Sequence, residues 1–244
     1  MTTSTPVILE LRHAECESPG AYLAGLADLA EIHTVRVWQE PLPTDLAGVT
    51  GLLVMGGPMG ANDGPTLPWI DAEIAFIRAA LDADIPVWGV CLGSQLLARA
   101  LGAEVRTGPD GEIGIGAVTL TAEGLIDPVF SCAPTATFPV MHWHYDTFAI
   151  PTGAVLLAGS AHYDNQVFRH GSSYGVQCHL EVDPALFAAW LEVPEYRDEL
   201  VEALGPHGPA TALTEVHAAA DTTAPLAATL IRHWLRSCVG ISEV

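Results

Sequence analysis

The run Gly89-Val90-Cys91-Leu92-Gly93-Ser94-Gln95 places a thiol between two glycines, directly after the apolar stretch Pro86-Val87-Trp88 and directly before Leu96-Leu97-Ala98-Arg99-Ala100-Leu101. This is the thiol counterpart of the G-x-S-x-G nucleophile elbow, a sharp turn from strand into helix. Small neighbours are needed two residues to each side because a Cβ there would collide with adjacent chain. At the helix start, free backbone N–H groups and the helix dipole favour the thiolate.

A second segment, Gly175-Val176-Gln177-Cys178-His179-Leu180-Glu181, ends in an imidazole followed two residues later by a carboxylate. Side chains two apart on extended chain share a face, so Glu181 can accept the proton of one ring nitrogen of His179 and turn the other outward. That is the base and orienting acid of a thiol triad. The third segment, Leu53-Val54-Met55-Gly56-Gly57-Pro58-Met59-Gly60, stops in glycines and can bring a backbone N–H close to another loop, as an oxyanion hole requires. Each segment alone also reads as ordinary structure: a packed cysteine, a surface ion pair, a routine turn. Together they favour the chemical reading.

In this order the three segments resemble the class I, triad-type glutamine amidotransferases, and more narrowly the stand-alone proteins similar to the amidotransferase domain of GMP synthase. The resemblance covers about Leu52 to Glu181 and extends loosely to both ends. It implies a flavodoxin-like α/β fold in which Cys91 attacks the side-chain amide of glutamine, His179 serves as base and then acid, and Glu181 orients the ring. It further implies an oxyanion hole from the N–H groups of Gly57 and Leu92, and substrate contacts at Met59, Gln95, His144, Tyr145 and Asp146. The products would be an enzyme-bound glutamyl thioester and ammonia, then glutamate. Neither a metal nor an organic cofactor is implied.

Two positions depart from the family pattern. Cys178 and Leu180 stand where phenylalanine and often proline flank the histidine, on the face away from the expected triad. In Met141-His142-Trp143-His144-Tyr145-Asp146-Thr147-Phe148, Tyr145 replaces a common glycine next to the expected substrate, which would narrow or reshape the pocket. The same stretch allows a rival, a metallo-hydrolase using His142, His144 and Asp146. Thr147 occupies the place where that pattern normally continues with histidine, and the rival leaves the cysteine elbow unexplained. A non-catalytic binding subunit is another alternative, but no triad member is missing. With no G-x-x-x-x-G-K-[ST] loop, the chain reads as a glutaminase half. Either a separate synthase subunit uses the ammonia, or the enzyme is a γ-glutamyl peptide hydrolase or transferase.

Short apolar runs alternate with longer amphipathic ones through the first hundred residues, as expected of parallel strands joined by helical crossovers. Strands are predicted at Pro6 to Leu11, Thr34 to Trp38, Gly51 to Met55 and Pro86 to Val90, with helices at Ala21 to Ile32 and Trp69 to Leu81. From Glu104 to Glu181 the texture becomes strand after strand (Gly114 to Thr121, Ala136 to His142, Val155 to Ala158, Gln166 to Arg169, Tyr174 to Cys178), which predicts an antiparallel edge. From Pro184 the chain is helical in texture, with a break at Gly205 to Pro209 and a last helix near Thr222 to Ser237. The expected architecture is a three-layer α/β sandwich over residues 1–244 as one domain, with a core at 1–183 and a helical extension at 184–244 packed on it.

Nine arginines, no lysine and 29 acids give a formal charge of −20, which would repel phosphate backbones and anionic lipid. Nucleic-acid and membrane partners are therefore not expected, and the substrate is a small molecule. Val7-Ile8-Leu9 runs into Glu10 without a basic flank, unlike a signal peptide, so residence in the cytoplasm is expected. The five cysteines, at irregular spacing and without a C-x-x-C pair, are expected as free thiols.

Overall fold

Along Leu52-Leu53-Val54-Met55 all four side chains are buried, but alternate residues enter different layers. A strand apolar on both faces must be covered on both faces, and that decides the architecture. The computed structural model describes residues 5–240; residues 1–4 and 241–244, the ends of the expected unit, lie outside them. Strands β1 (Val7–Arg12), β2 (Glu31–Arg36), β3 (Val49–Val54), β4 (Val87–Val90), β5 (Val105–Leu120), β6 (Thr137–Phe148), β7 (Val155–Gly159), β8 (Val167–His170) and β9 (Ser173–Val176) form one sheet. Its order is β2-β1-β3-β4-β9-β8-β7-β5-β6. The half from β2 to β9 is parallel and the half from β9 to β6 antiparallel.

Helices α2 (Pro68–Asp82) and α3 (Leu92–Ala100) cover one face, where Ile70, Ile74, Ile77, Leu96 and Leu97 pack with Leu9, Leu52, Val54 and Val87. On the other face α1 (Tyr22–Leu26) and the long α7 (Gly208–Trp234) bring Tyr22, Leu230 and Trp234 against Ile8, Leu53 and Trp88. Trp88 is the centre of that layer, with the rings of Tyr22, Phe130, Tyr174 and Trp234 at 5.8, 6.1, 5.6 and 5.9 Å. Such pairs add about 0.5–1.5 kcal/mol each beyond area burial, so this cluster fixes where the strand leading to Cys91 lies. After the short α4 (Ala122–Leu125), helices α5 (Pro184–Leu191) and α6 (Pro194–Leu204) join the start of α7 in a third cluster that packs on Met141 of β6.

The parallel half, the antiparallel edge and the flavodoxin-like layering agree with expectation, while several element boundaries do not. The helix predicted over Ala21 to Ile32 stops at Leu26, because Ala27 turns extended and Asp28 adopts φ +63°. That lets β2 start at Glu31 and pair with Val7 of β1, earlier than the predicted Thr34. Strand β5 begins at Val105 rather than Gly114, since its pairing with β6 shifts register between Thr107 and Glu112 and so absorbs the turn-like Gly108-Pro109-Asp110-Gly111. The last helix begins at Gly208, far before Thr222, and runs through Pro225.

Candidate functional site

Cys91 is the residue between β4 and α3, with φ +48° and ψ −108°. Backbone of this kind is strained for a residue with a side chain and persists only where its surroundings enforce it. Here they do. A Cβ on Gly89 would sit 2.5 Å from the Gly93 carbonyl oxygen, and one on Gly93 would overlap the Val54 carbonyl. The turn is closed so tightly that neither glycine can be replaced, and it throws the Cys91 side chain out at the carboxyl end of the parallel strands. The thiol is 7% exposed; it lies 3.8 Å from the Trp143 carbonyl oxygen, and Gln177 Nε2 donates to it at 3.6 Å.

His179 and Glu181 follow β9, the strand next to β4, so the two chain segments leave the sheet side by side. His179 Nδ1 donates to Glu181 Oε1 at 2.7 Å, and the ring shares the cleft with the Cys91 sulfur. Burial works against the imidazolium, yet the neighbouring Glu181 carboxylate and Cys91 sulfur push the His179 pKa well above its usual value. Trp190 of α5 meets the imidazole edge-on at 5.1 Å and holds its plane. Cys178 and Leu180, the positions that depart from the family pattern, are fully buried in the layer with Trp88, away from the cleft.

A cleft of about 390 Å³ opens over Cys91 and His179. Gly57, Leu92, Gln95, Met59, His144, Tyr145 and Asp146 all line it, so the residues singled out in the sequence converge on one space. Leu92 is the first residue of α3, and its N–H has no intrahelical acceptor. Gln95 Nε2 donates to Gln177 Oε1 at 3.1 Å, which ties the helix to the β9 segment. Tyr145 is 43% exposed at the rim; its ring lies over Gly111 and its hydroxyl is near the Glu199 carboxylate of α6. Burial, together with Glu199 and Glu202, raises the Tyr145 pKa to about 12.

The family profile described as glutamine amidotransferase class-I matches residues 24–192, more than half the chain. The chain belongs to the class I glutamine amidotransferases. It is 38% identical over 175 residues to the glutamine amidotransferase-like protein YfeJ of Salmonella typhimurium, which is 69% of this chain and 73% of that one. To one subunit of the glutamine-hydrolyzing GMP synthase of Halobacterium salinarum it is 33% identical over 152 residues, 61% of this chain and 75% of that one. The match to the GMP synthase of Thermomicrobium roseum spans 23% of that longer protein. Among solved structures, a glutamine amidotransferase from Thermotoga maritima superposes with a TM-score of 0.84 at 29% identity, covering 97% of this chain and 99% of that one. One from Methylobacillus flagellatus gives the same TM-score at 30% identity, over 99% and 97%.

This class I glutamine amidotransferase also has site residues that the sequence motifs did not reveal. Glu17, in the loop after β1, lines the cleft and is 5% exposed; Tyr196 donates to its Oε1 at 3.1 Å, while Oε2 has no partner. Burial pushes the Glu17 pKa up and Glu181 adds to it, against His179, Tyr196 and His13. His13 donates from Nδ1 to the Gly56 carbonyl and from Nε2 to Glu73, all at 3.0 Å and fully out of solvent, and so pins the Gly56-Gly57 turn. Burial opposes protonation of His13, but Glu73 and that carbonyl raise its pKa. The ligand set of the rival metallo-hydrolase reading, His142, His144 and Asp146, needs correction at one place. The Asp146 side chain turns to Thr107 Oγ1 at 2.8 Å, and the carboxylate that joins His142 and His144 is Glu112, the cross-strand partner of His144. No helix among the described residues is long and apolar enough to cross a membrane.

Proposed function

We propose that this amidotransferase hydrolyses the side-chain amide of glutamine, or of a related γ-glutamyl amide, through a thioester on Cys91. The carrying observation is the row Cys91, His179, Glu181 at the mouth of the cleft, with a strained nucleophile turn at one end and a fully buried carboxylate at the other. The Cys91 thiol gives its proton to His179 as the sulfur adds to the amide carbonyl carbon, and the oxygen, now negative, points at the N–H groups of Leu92 and Gly57. As the C–N bond breaks, His179 gives its proton to the leaving nitrogen and ammonia departs. Water then loses a proton to His179 and attacks the thioester; as the C–S bond breaks His179 passes that proton to the sulfur, and glutamate and the free thiol return. Glu181 holds the ring in the correct tautomer and stabilises the imidazolium. Gln95, Met59, His144, Tyr145 and Asp146 seat the amino-acid end of the substrate.

The likeness to a GMP synthase subunit supports a role as the ammonia-producing partner of a separate synthase. A second reading, hydrolysis of a γ-glutamyl compound with a larger leaving group, is favoured by one feature: the half-exposed Tyr145 ring offers a surface at the rim beyond what glutamine itself needs. Ammonia and amine release from glutamine and a panel of γ-glutamyl amides, with intact-mass detection of the acyl-enzyme, tests both. Wild type should turn over at least one of them, with Cys91→Ser slower by roughly 10³-fold or more. Equal turnover by Cys91→Ser, or an adduct on another residue, rejects the mechanism.

A further inference from the structure

Behind the cleft wall, His142 and His144 of β6 and Glu112 of β5 place one ligand atom each within 4.8 Å of one another, and they are 1%, 4% and 8% exposed. The proposed amide chemistry uses neither Glu112 nor His142, and takes His144 only as a wall residue of the cleft. We propose that Glu112, His142 and His144 bind one divalent metal ion of the zinc class, which ties β5 to β6 beside the substrate cleft.

The hydrogen bonding of His144 is the first argument. Its Nδ1 lies 3.0 Å from the Asp146 carbonyl oxygen, which can only accept, so Nδ1 carries the proton. In the neutral ring Nε2 is then a bare lone pair, and it faces Glu112 Oε2 at 3.1 Å, lone pair against lone pair. The Gln166 amide nitrogen reaches the same His144 nitrogen only at 3.4 Å, and a cation between ring and carboxylate, either a second proton or a metal, relieves the repulsion.

His142 points to the metal. Its ring is buried, neither nitrogen has a hydrogen-bond partner, and Nδ1 stands 3.3 Å from the same Glu112 oxygen. One proton on His144 would leave both His142 nitrogens unserved, whereas one ion can take a lone pair from each ring and from the carboxylate. The spacing fits as well: bonds of about 2.0–2.2 Å to a tetrahedral zinc put neighbouring ligand atoms roughly 3.4 Å apart. The observed 3.1 and 3.3 Å separations are close to that edge.

The surroundings have the form of an outer shell. The Asp146 carbonyl orients His144, and Gln166 Nε2 donates to Glu112 Oε2 at 2.6 Å. The Gln166 amide nitrogen is the end that faces Glu112 and His144, so a water completes the coordination. Gly116 leaves room for the His142 ring, which a Cβ there would approach to 2.7 Å, and Tyr163 covers His144 edge-on at 4.9 Å. Two imidazoles and one carboxylate suit zinc better than calcium or magnesium.

The test is metal binding by the whole protein, independent of turnover. Protein stripped by chelator dialysis is titrated with Zn²⁺ against a chromogenic chelator, and separately with Co²⁺ while the visible spectrum is recorded. Expected are one ion per chain with Kd below about 1 µM and a four-coordinate cobalt spectrum without a thiolate charge-transfer band. The same binding should appear in Cys91→Ser, because the ion is not at the active-site thiol. His142→Ala and Glu112→Gln should each weaken binding by roughly 100-fold or more. No binding by wild type at 10 µM zinc, about tenfold above the expected Kd, would mean that a proton bridges His144 and Glu112, and the proposal fails. It fails equally if Cys91→Ser abolishes binding, or if His142→Ala retains it. Should His142→Ala not fold, the wild-type stoichiometry and the cobalt spectrum still decide.

Discussion

Met141 and His179 exchange two main-chain hydrogen bonds, of 3.1 and 2.8 Å, although β6 and β9 stand four places apart in the sheet. The antiparallel half therefore curls until its outermost strand meets the segment that carries the imidazole. This contact sets the Trp143 carbonyl at the Cys91 sulfur and makes His144, Tyr145 and Asp146 a wall of the cleft. If it closes the site as described, the amides of Met141 and His179 exchange with solvent as slowly as those of Tyr174 to Val176. Residue-resolved hydrogen exchange reads this directly; fast exchange at both positions would show that the wall is open.

Glu181→Gln should keep the fold and lower turnover by roughly 10³–10⁴-fold, because an amide can present its N–H to His179 Nδ1 and select the wrong tautomer. The variant also carries a pH signature. The folded His179 pKa lies well above 6.5, chiefly through Glu181 acting against burial. The stabilisation is then full below pH 6.5 and disappears as pH rises through the folded pKa. Urea denaturation should find the variant most destabilised near pH 6, with the gap narrowing on the alkaline side. A gap that widens with pH contradicts the assignment.

Glu17 behaves in the opposite sense. Its folded pKa is raised above 4.5 by burial and by Glu181, so its contribution is greatest when protonated and is lost as pH rises from about 4.5 through the folded value. At pH 7.5 the carboxylate is a cost to the fold, and Glu17→Gln, which can still accept from Tyr196, should melt higher. At about 2–4 °C per kcal/mol the gain is measurable, and it should vanish below pH 4.5. Equal destabilisation at both pH values would show that Glu17 is a structural partner of Tyr196 and nothing more.

Brief iodoacetamide treatment near neutral pH should label Cys91 before any other thiol. Burial raises the pKa of Cys16 and Cys132, raises that of Cys238 to about 11, and pushes fully buried Cys178 well above its usual value. Peptide mass spectrometry orders the sites, and earlier label on Cys16 or Cys178 would overturn the nucleophile assignment.

What is legible in the sequence and what is not divides by distance along the chain. Cys91 with its glycines, and His179 with Glu181, lie within segments of a few residues where strand and turn periodicity fixes direction. Glu112 cannot be paired with His144 from sequence, because 32 residues and a register shift separate them and only the β5–β6 ladder brings them opposite. His13 and Glu73 meet across 60 residues for the same reason. Glu17 reaches the cleft because the loop after β1 is docked where Ala21 N–H donates to the Glu181 carbonyl at 2.8 Å. The His-x-His-x-Asp spacing points to Asp146 as a metal ligand, but its carboxylate bonds Thr107 across the ladder while its carbonyl serves His144. The early stop of the first helix has a local cause, the left-handed Asp28, that apolar spacing does not encode.

Tyr145→Gly should lower KM for free glutamine, and the geometry of the ring says why. Tyr145 lies on β6 between two cleft residues, and its ring covers Gly111 on β5 while the hydroxyl reaches Glu199 on α6. It therefore bridges two walls of the cleft at the rim, and Glu199 is held there a second time by Trp143 Nε1 at 2.8 Å. Removing the ring opens the mouth and frees the backbone for the ligand, at little expense in stability because the residue is 43% exposed. Tyr145→Phe separates the two roles: it keeps the ring and loses the hydroxyl near Glu199, so it should leave KM for glutamine nearly unchanged. A γ-glutamyl substrate whose leaving group rests on the ring should bind more weakly to Tyr145→Gly but not to Tyr145→Phe. Steady-state ammonia release, taken with a thermal melt, distinguishes the outcomes. A KM for glutamine that rises or stays the same in Tyr145→Gly, with the melting temperature unaltered, would show that the ring does not set substrate choice.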